Sequence, residues 1–116
     1  MKIKREDTEE GVYDVLDRMR AKPPLYIGER SLERLFVYLA GISAGVWMAG
    51  NNKALKDVED FHRFHDWVAK RLGFYESTSG WHKMIRSKCV DEAEALDRFY
   101  VLLDEFRAES KAAKAR

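Results

Sequence analysis

The residues of this chain best suited to acid–base, nucleophilic or metal chemistry are three histidines and one cysteine, and two of the histidines stand together in EDFHRFHDW. Glu59, His62 and Asp66 recur there at i, i+3 and i+7, a spacing that lines them along one side of a helix. A Glu-x-x-His pair is one half of a carboxylate-bridged di-iron site. The full site needs a second such pair and further carboxylates on facing helices, and no second Glu-x-x-His occurs. His65 falls on the stripe of Phe61, Val68 and Leu72, where a partly buried, hydrogen-bonded histidine is the ordinary outcome. His82 follows Ser79, Gly80 and Trp81, far from the pair. Cys89 is a lone thiol beside Lys88 with no histidine near it in sequence, and it reads as an ordinary structural or surface cysteine. No catalytic residue, metal site, cofactor or small-molecule substrate is expected, and the chain is read as a protein without enzymatic activity.

The carboxylates make a clearer pattern. Glu94, Asp97 and Asp104 lie opposite Phe99 and Phe106 on one amphipathic segment, and Glu59, Asp60 and Asp66 stand outside the apolar stripe of another. A solvated face accounts for such stripes. They also suit a negatively charged docking surface, which steers a basic partner and gains affinity from a few desolvated pairs. Glu59, Asp60, Asp66, Glu94 and Asp97 are the candidate partner-binding residues on that reading.

Residues 68–88, VAKRLGFYESTSGWHKMIRSK, offer a competing reading as a helix-turn-helix. Ala69, Gly73 and a Ser/Thr start to a second helix fit the motif, and Lys83, Arg86 and Lys88 could meet phosphates. The apolar positions six and nine after the glycine are Ser79 and His82, so the core anchors Trp81 and Ile85 are displaced. The formal net charge is +1, which gives no electrostatic footprint for nucleic acid. DNA binding through 68–88 is therefore the alternative, not the leading expectation.

The elements that must position these residues are helical almost throughout. Val12, Leu16 and Met19 share a face behind an Asp7/Glu10 capping-box pattern. Ser31 caps a second helix bearing Leu32, Leu35, Phe36, Leu39, Ile42 and Val46. Gly41 and Gly45 within it are tolerable if another backbone packs closely, which places this helix centrally. GNNKALK reads as a linker. Asp57 starts a third helix that buries Phe61, Phe64, Val68 and Leu72 and stops at Gly73. Thr78 or Ser79 caps a short fourth helix carrying Trp81, Met84 and Ile85. An Asp91/Glu94 capping box opens the fifth, which buries Leu96, Phe99, Tyr100, Leu103 and Phe106. No alternation of period two and no hairpin signal is visible.

The expected fold class is therefore all-α: one domain over residues 1–116, a bundle of about five helices, with 7–108 as its ordered core and 109–116 as a frayed tail. A chain of 116 residues can build one real core and not two. With 46% hydrophobic and 35% charged residues it is globular. Its single cysteine rules out an internal disulfide. MKIKREDTEE is charged with no apolar run, so no secretory signal is expected, and no segment is a convincing membrane span. A reduced, cytoplasmic setting is expected.

Two resemblances attach to the stretch after the first helix. MRAKPPLYIG, residues 19–28, is similar to a segment of gyrase-type ATPases. That family needs an acidic base and an Asn-Asp pair on the next helix, and LFVYLAGISAGVWMAGNN has no carboxylate. The same loop is therefore read as a corner, with Tyr26 folded back over the helix ends and Pro23 extended ahead of Pro24. KPPLYIGERSLERLFVYLAG, FHRFHDWVAKRLG, STSGWHKMI and ALDRFYVLLDEF, in that order across about residues 12–107, resemble small immunity proteins of bacterial polymorphic toxin systems. The resemblance implies an all-helical protein that binds and neutralises a cognate toxin. It carries over no contact residues, and Tyr26, Trp81 and Ile85 are assigned to the fold.

Overall fold

A computed structural model describes residues 6–50, 53–75 and 79–114. The chain is an all-α bundle with one small β-ladder. Its elements run β1 (Glu6–Gly11), α1 (Val12–Ala21), α2 (Pro23–Ile27), α3 (Leu32–Met48), β2 (Lys53–Lys56), α4 (Val58–His62), α5 (Phe64–Leu72), α6 (Trp81–Arg86) and α7 (Glu92–Lys114). The five expected helices are α1, α3, the broken rod α4–α5, α6 and α7.

The ladder departs from expectation. β1 pairs in parallel with β2, Glu6 beside Lys53, Asp7 beside Ala54 and Gly11 beside Lys56, with an irregularity between Asp7 and Gly11. The stretch read as a linker thus forms a strand, and Asp7, read as a cap, lies in its partner. Two strands this short carry no alternation to detect. At Gly11 a Cβ would stand 2.7 Å from the Lys56 carbonyl oxygen, so only glycine lets the strands meet there. The start of α1 is instead closed by Asp14, whose Oδ2 accepts the Gly11 N–H at 2.8 Å.

Pro23 is not extended. It opens the one-turn helix α2, a position where a missing N–H costs nothing. Gly28, at φ 84°, ends that turn by donating to the Pro24 carbonyl at 3.0 Å. Ser31 then caps α3, its Oγ accepting from the Arg34 N–H at 3.2 Å. Gly80 rather than Ser79 occupies the N-cap of α6; Thr78 lies outside the described residues. Half of the Asp91/Glu94 box is present: Asp91 Oδ1 accepts the Glu94 N–H at 2.9 Å, while Glu94 Oε2 accepts the N–H of Val90, one residue before the cap, at 2.7 Å. α7 runs on to Lys114, through the stretch read as a frayed tail.

The core is aromatic. Trp81 stacks on Phe99 at 5.0 Å between centroids and meets Phe36, Phe61 and Phe64 edge-on. Phe64 and Phe99 are fully buried, as are Leu16, Met19, Leu32, Leu35, Met84, Ile85, Leu96 and Leu103. Tyr100 anchors α7 to α1 through a buried hydrogen bond donated to the Leu16 carbonyl at 2.7 Å.

Gly41 and Gly45 correct the placement of α3. A Cβ on either would meet nothing within 4 Å. The N-terminal half of α3 is central, with Leu32, Leu35 and Leu39 buried. Its C-terminal half lies at the edge of the molecule, and no backbone among the described residues covers its glycines.

Candidate partner-binding groove

The structure divides the five candidate carboxylates between opposite ends of the molecule. Asp60 bonds to Ser110, and Asp97 lies thirteen residues earlier on α7, about 20 Å along the helix axis. Glu59, Asp60 and Asp66 gather on α4–α5 near the C-terminal end of α7. Glu94 and Asp97 stand at its N-terminal end. No single acidic face joins them.

Most of these carboxylates are engaged inside the molecule. Asp60 is the clearest case, its side chain 11% exposed. Tyr13 Oη donates to Asp60 Oδ2 at 2.6 Å and Ser110 Oγ to Oδ1 at 2.9 Å. Arg63 donates to Oδ1, and Lys114 Nζ lies 3.4 Å away. Burial alone would raise the Asp60 pKa. The hydrogen bonds from Tyr13, Ser110 and Arg63 and the charge of Lys114 outweigh it and bring the carboxyl down to about 2. The Tyr13 hydroxyl is pushed up by burial and by donating to that carboxylate. Asp60 is thus a tie between α1, α4 and α7.

Asp97 pairs with Arg30, and Glu94 closes the start of its own helix. The rest of the outer acidic edge of α7 follows suit. Arg20 holds Asp104 with two bonds of 2.9 and 2.8 Å, Arg71 holds Glu105 at 3.2 Å, and the Trp67 indole donates to Glu109. Glu92 reaches the N-terminus of α3, accepting from the Glu33 N–H at 2.9 Å, from Ser31 Oγ and from Arg86. Burial raises its pKa and these donors lower it, with a net fall.

Asp66 is different. It and Lys70 form no ion pair among the described residues, and both line a groove between α5 and α7. Trp67 stands in the middle, half-buried, its ring beside Phe64 and Phe106. On one side of the indole the groove is bounded by Arg63, Asp66 and Phe106 and has a volume of about 390 Å³. On the other it continues past Arg71, Glu105 and Ala108 with about 630 Å³. An apolar floor, one aromatic anchor and uncommitted charges of both signs suit a protein side chain or helix edge. Among the candidates named from the sequence only Asp66 lies in this groove. Trp67 and Lys70 were not singled out; the signal for Trp67 was its place one residue off the Phe64–Val68 stripe, at the edge of the buried face.

The remaining candidates form no reactive set. His62 is exposed and His65 half-buried, and no three His, Cys, Asp or Glu side chains among the described residues converge as metal ligands. Burial raises the Cys89 thiol pKa, which keeps it protonated and weakly nucleophilic. In the 68–88 segment, α6 is six residues long and buries Trp81, Met84 and Ile85. Its Arg86 is taken by Glu92 and the Cys89 carbonyl. No described helix is long and apolar enough to cross a membrane.

Comparison of the chain with family models, curated proteins and solved structures finds no match.

Proposed function

We propose that this chain is an immunity-type protein, acting in the cytoplasm, that neutralises a cognate bacterial toxin by direct stoichiometric binding and without catalysis. The observation that carries the reading is the α5–α7 groove, where Trp67 is flanked by the uncommitted Asp66 and Lys70. The resemblance over residues 12–107 supports it. In this reading Trp67 is a pre-set anchor, because its bond to Glu109 and its packing on Phe106 hold the ring before a partner arrives. Asp66 and Lys70 then fix the register of the partner by charge. Glu59 and Asp66 supply the local negative charge that attracts a basic cleft. Asp60, Glu94 and Asp97 act one step back, holding the helices that present the surface.

The test is co-expression with the product of the adjacent upstream gene, followed by growth assay and co-purification. A stable complex and rescue of growth are expected. Reversing both charges, Asp66→Lys with Lys70→Glu, is expected to abolish rescue while leaving the melting temperature within a few degrees. Absence of both complex and rescue with the wild-type chain overturns the proposal.

The second reading, a DNA-binding regulator using 68–88, draws on the exposed Lys83 and Lys88. Its expected result is a duplex-DNA mobility shift that weakens steeply with salt. The commitment of Arg86 to Glu92 weighs against it.

A further inference from the structure

α3 is apolar on two sides. Advancing roughly 100° per residue, Leu32, Leu35, Leu39, Ile42 and Val46 face the bundle. Val37, Gly41, Ala44 and Met48 fall on the opposite side at i, i+4, i+7 and i+11, the spacing of a coiled-coil seam. All four are exposed, with Val37 at 62% and Met48 at 82%, and Trp47 beside them at 78%. Ala40 and Gly45 flank the middle and are exposed too. From Leu35 to Gly50 the sequence holds no charged residue, so nothing on this face favours water over another apolar surface.

The seam reads large, small, small, large. That order is unchanged when reversed about its midpoint, between Ile42 and Ser43. A second helix of the same sequence, turned end for end about a two-fold axis, puts Val37 against Met48 of the other copy and Gly41 against its Ala44. The small residues let the two backbones approach, and the large ones close both ends. This is the self-complementarity an isologous interface requires. A parallel arrangement would set Arg34, one turn ahead of Val37 on the same side, against its own copy and would align the helix dipoles. Covering Val37, Trp47 and Met48 with the small residues between them removes on the order of 500 Å² per copy, about 1,000 Å² in all, the lower bound of a specific interface.

We propose that this chain forms a reversible homodimer through the outward face of α3, paired antiparallel with the same face of a second copy. The interface is separate from the α5–α7 groove and does not rest on the toxin-binding reading. An interface at this lower bound is of the weak, reversible kind.

Sedimentation of the full chain from about 5 to about 500 µM tests it. A monomer–dimer equilibrium is expected. Ala44→Arg is expected to weaken dimerisation about tenfold or more by placing a charge in the seam; arginine there keeps the helix, since its propensity is close to that of alanine. Val101→Arg, on the exposed side of α7, is expected to leave dimerisation unchanged. Orientation is read by oxidising a mixture of Val37→Cys and Met48→Cys chains, both in a Cys89→Ser background. Crosslinks should join the two different variants, since like positions stand about 16 Å apart in the antiparallel pair. A monomer at every concentration, a dimer indifferent to Ala44→Arg, or crosslinks only between identical variants overturns the proposal.

Discussion

The outer edges of α7 and α3 are opposites. α7 presents a row of carboxylates, the usual mark of a surface left to solvent. Yet Asp97, Asp104, Glu105 and Glu109 are each held by a side chain from another element: Arg30 in the bend before α3, Arg20 on α1, and Arg71 and Trp67 on α5. α3 presents valine, alanine, glycine, tryptophan and methionine, the usual mark of a core, and nothing among the described residues covers them. Residue type alone does not say which surface is spoken for. A long helix crossing several neighbours finds a partner for nearly every charge it carries. A helix that projects beyond the bundle keeps its apolar face open, whatever its composition.

The contrast can be broken at measurable points. The largest effect is expected where α7 meets the aromatic core. Trp81→Ala removes the ring stacked on Phe99 and should cost about 3–5 kcal/mol by urea denaturation. A loss under 1 kcal/mol would mean that α6 does not pin α7.

Next comes the charged tie. Asp60→Asn leaves the buried donors of Tyr13 and Ser110 on a neutral acceptor and should cost about 2 kcal/mol. The sign with pH follows from the lowered pKa. Between about 4 and about 2 the unfolded carboxyl binds the proton first, so stability conferred by Asp60 is complete above about pH 4 and is lost as pH falls towards 2. His82 adds a milder acid loss that begins below its ordinary value of 6.5, because burial and the Lys83 charge depress its pKa. Its Nδ1 has no hydrogen-bond partner among the described residues. Stability measured against pH should therefore fall in two stages, and Asp60→Asn should flatten only the lower one.

Gly41→Ala probes the open side. With nothing within 4 Å of the new Cβ, it should stabilise the dilute protein by about 0.5–1 kcal/mol. Destabilisation would reveal a contact within the chain that the geometry does not contain. The smallest effect is expected at Asp66→Asn, within about 0.5 kcal/mol, as befits a carboxylate with no ion pair among the described residues. A loss as large as that of Asp60→Asn would erase the distinction between the structural and the uncommitted acid.

Much of the fold was legible because helical burial is periodic. Val12, Leu16 and Met19, Phe61, Phe64 and Val68, and Leu96, Phe99, Tyr100, Leu103 and Phe106 all face the core as their spacing requires. Ser31 and Gly73 mark their helix ends through local geometry that a few neighbouring residues fix. The ladder of β1 and β2 was hidden, since strands of six and four residues joined across α1 to α3 leave no local pattern. The groove was only partly visible. Asp66 could be named as an acid off the core stripe, but its distinction from Asp60 could not.

The sequence by itself determined the all-α class, the extent of most helices and which side of each turns inward, because these depend on contacts three or four residues apart. Tertiary structure alone decided which charges are used up and which apolar faces stay open. Whether Asp60 is a tie, Asp66 a free contact or Gly41 an uncovered backbone depends on Tyr13, Ser110 and the course of helices dozens of residues away, and no local spacing encodes that.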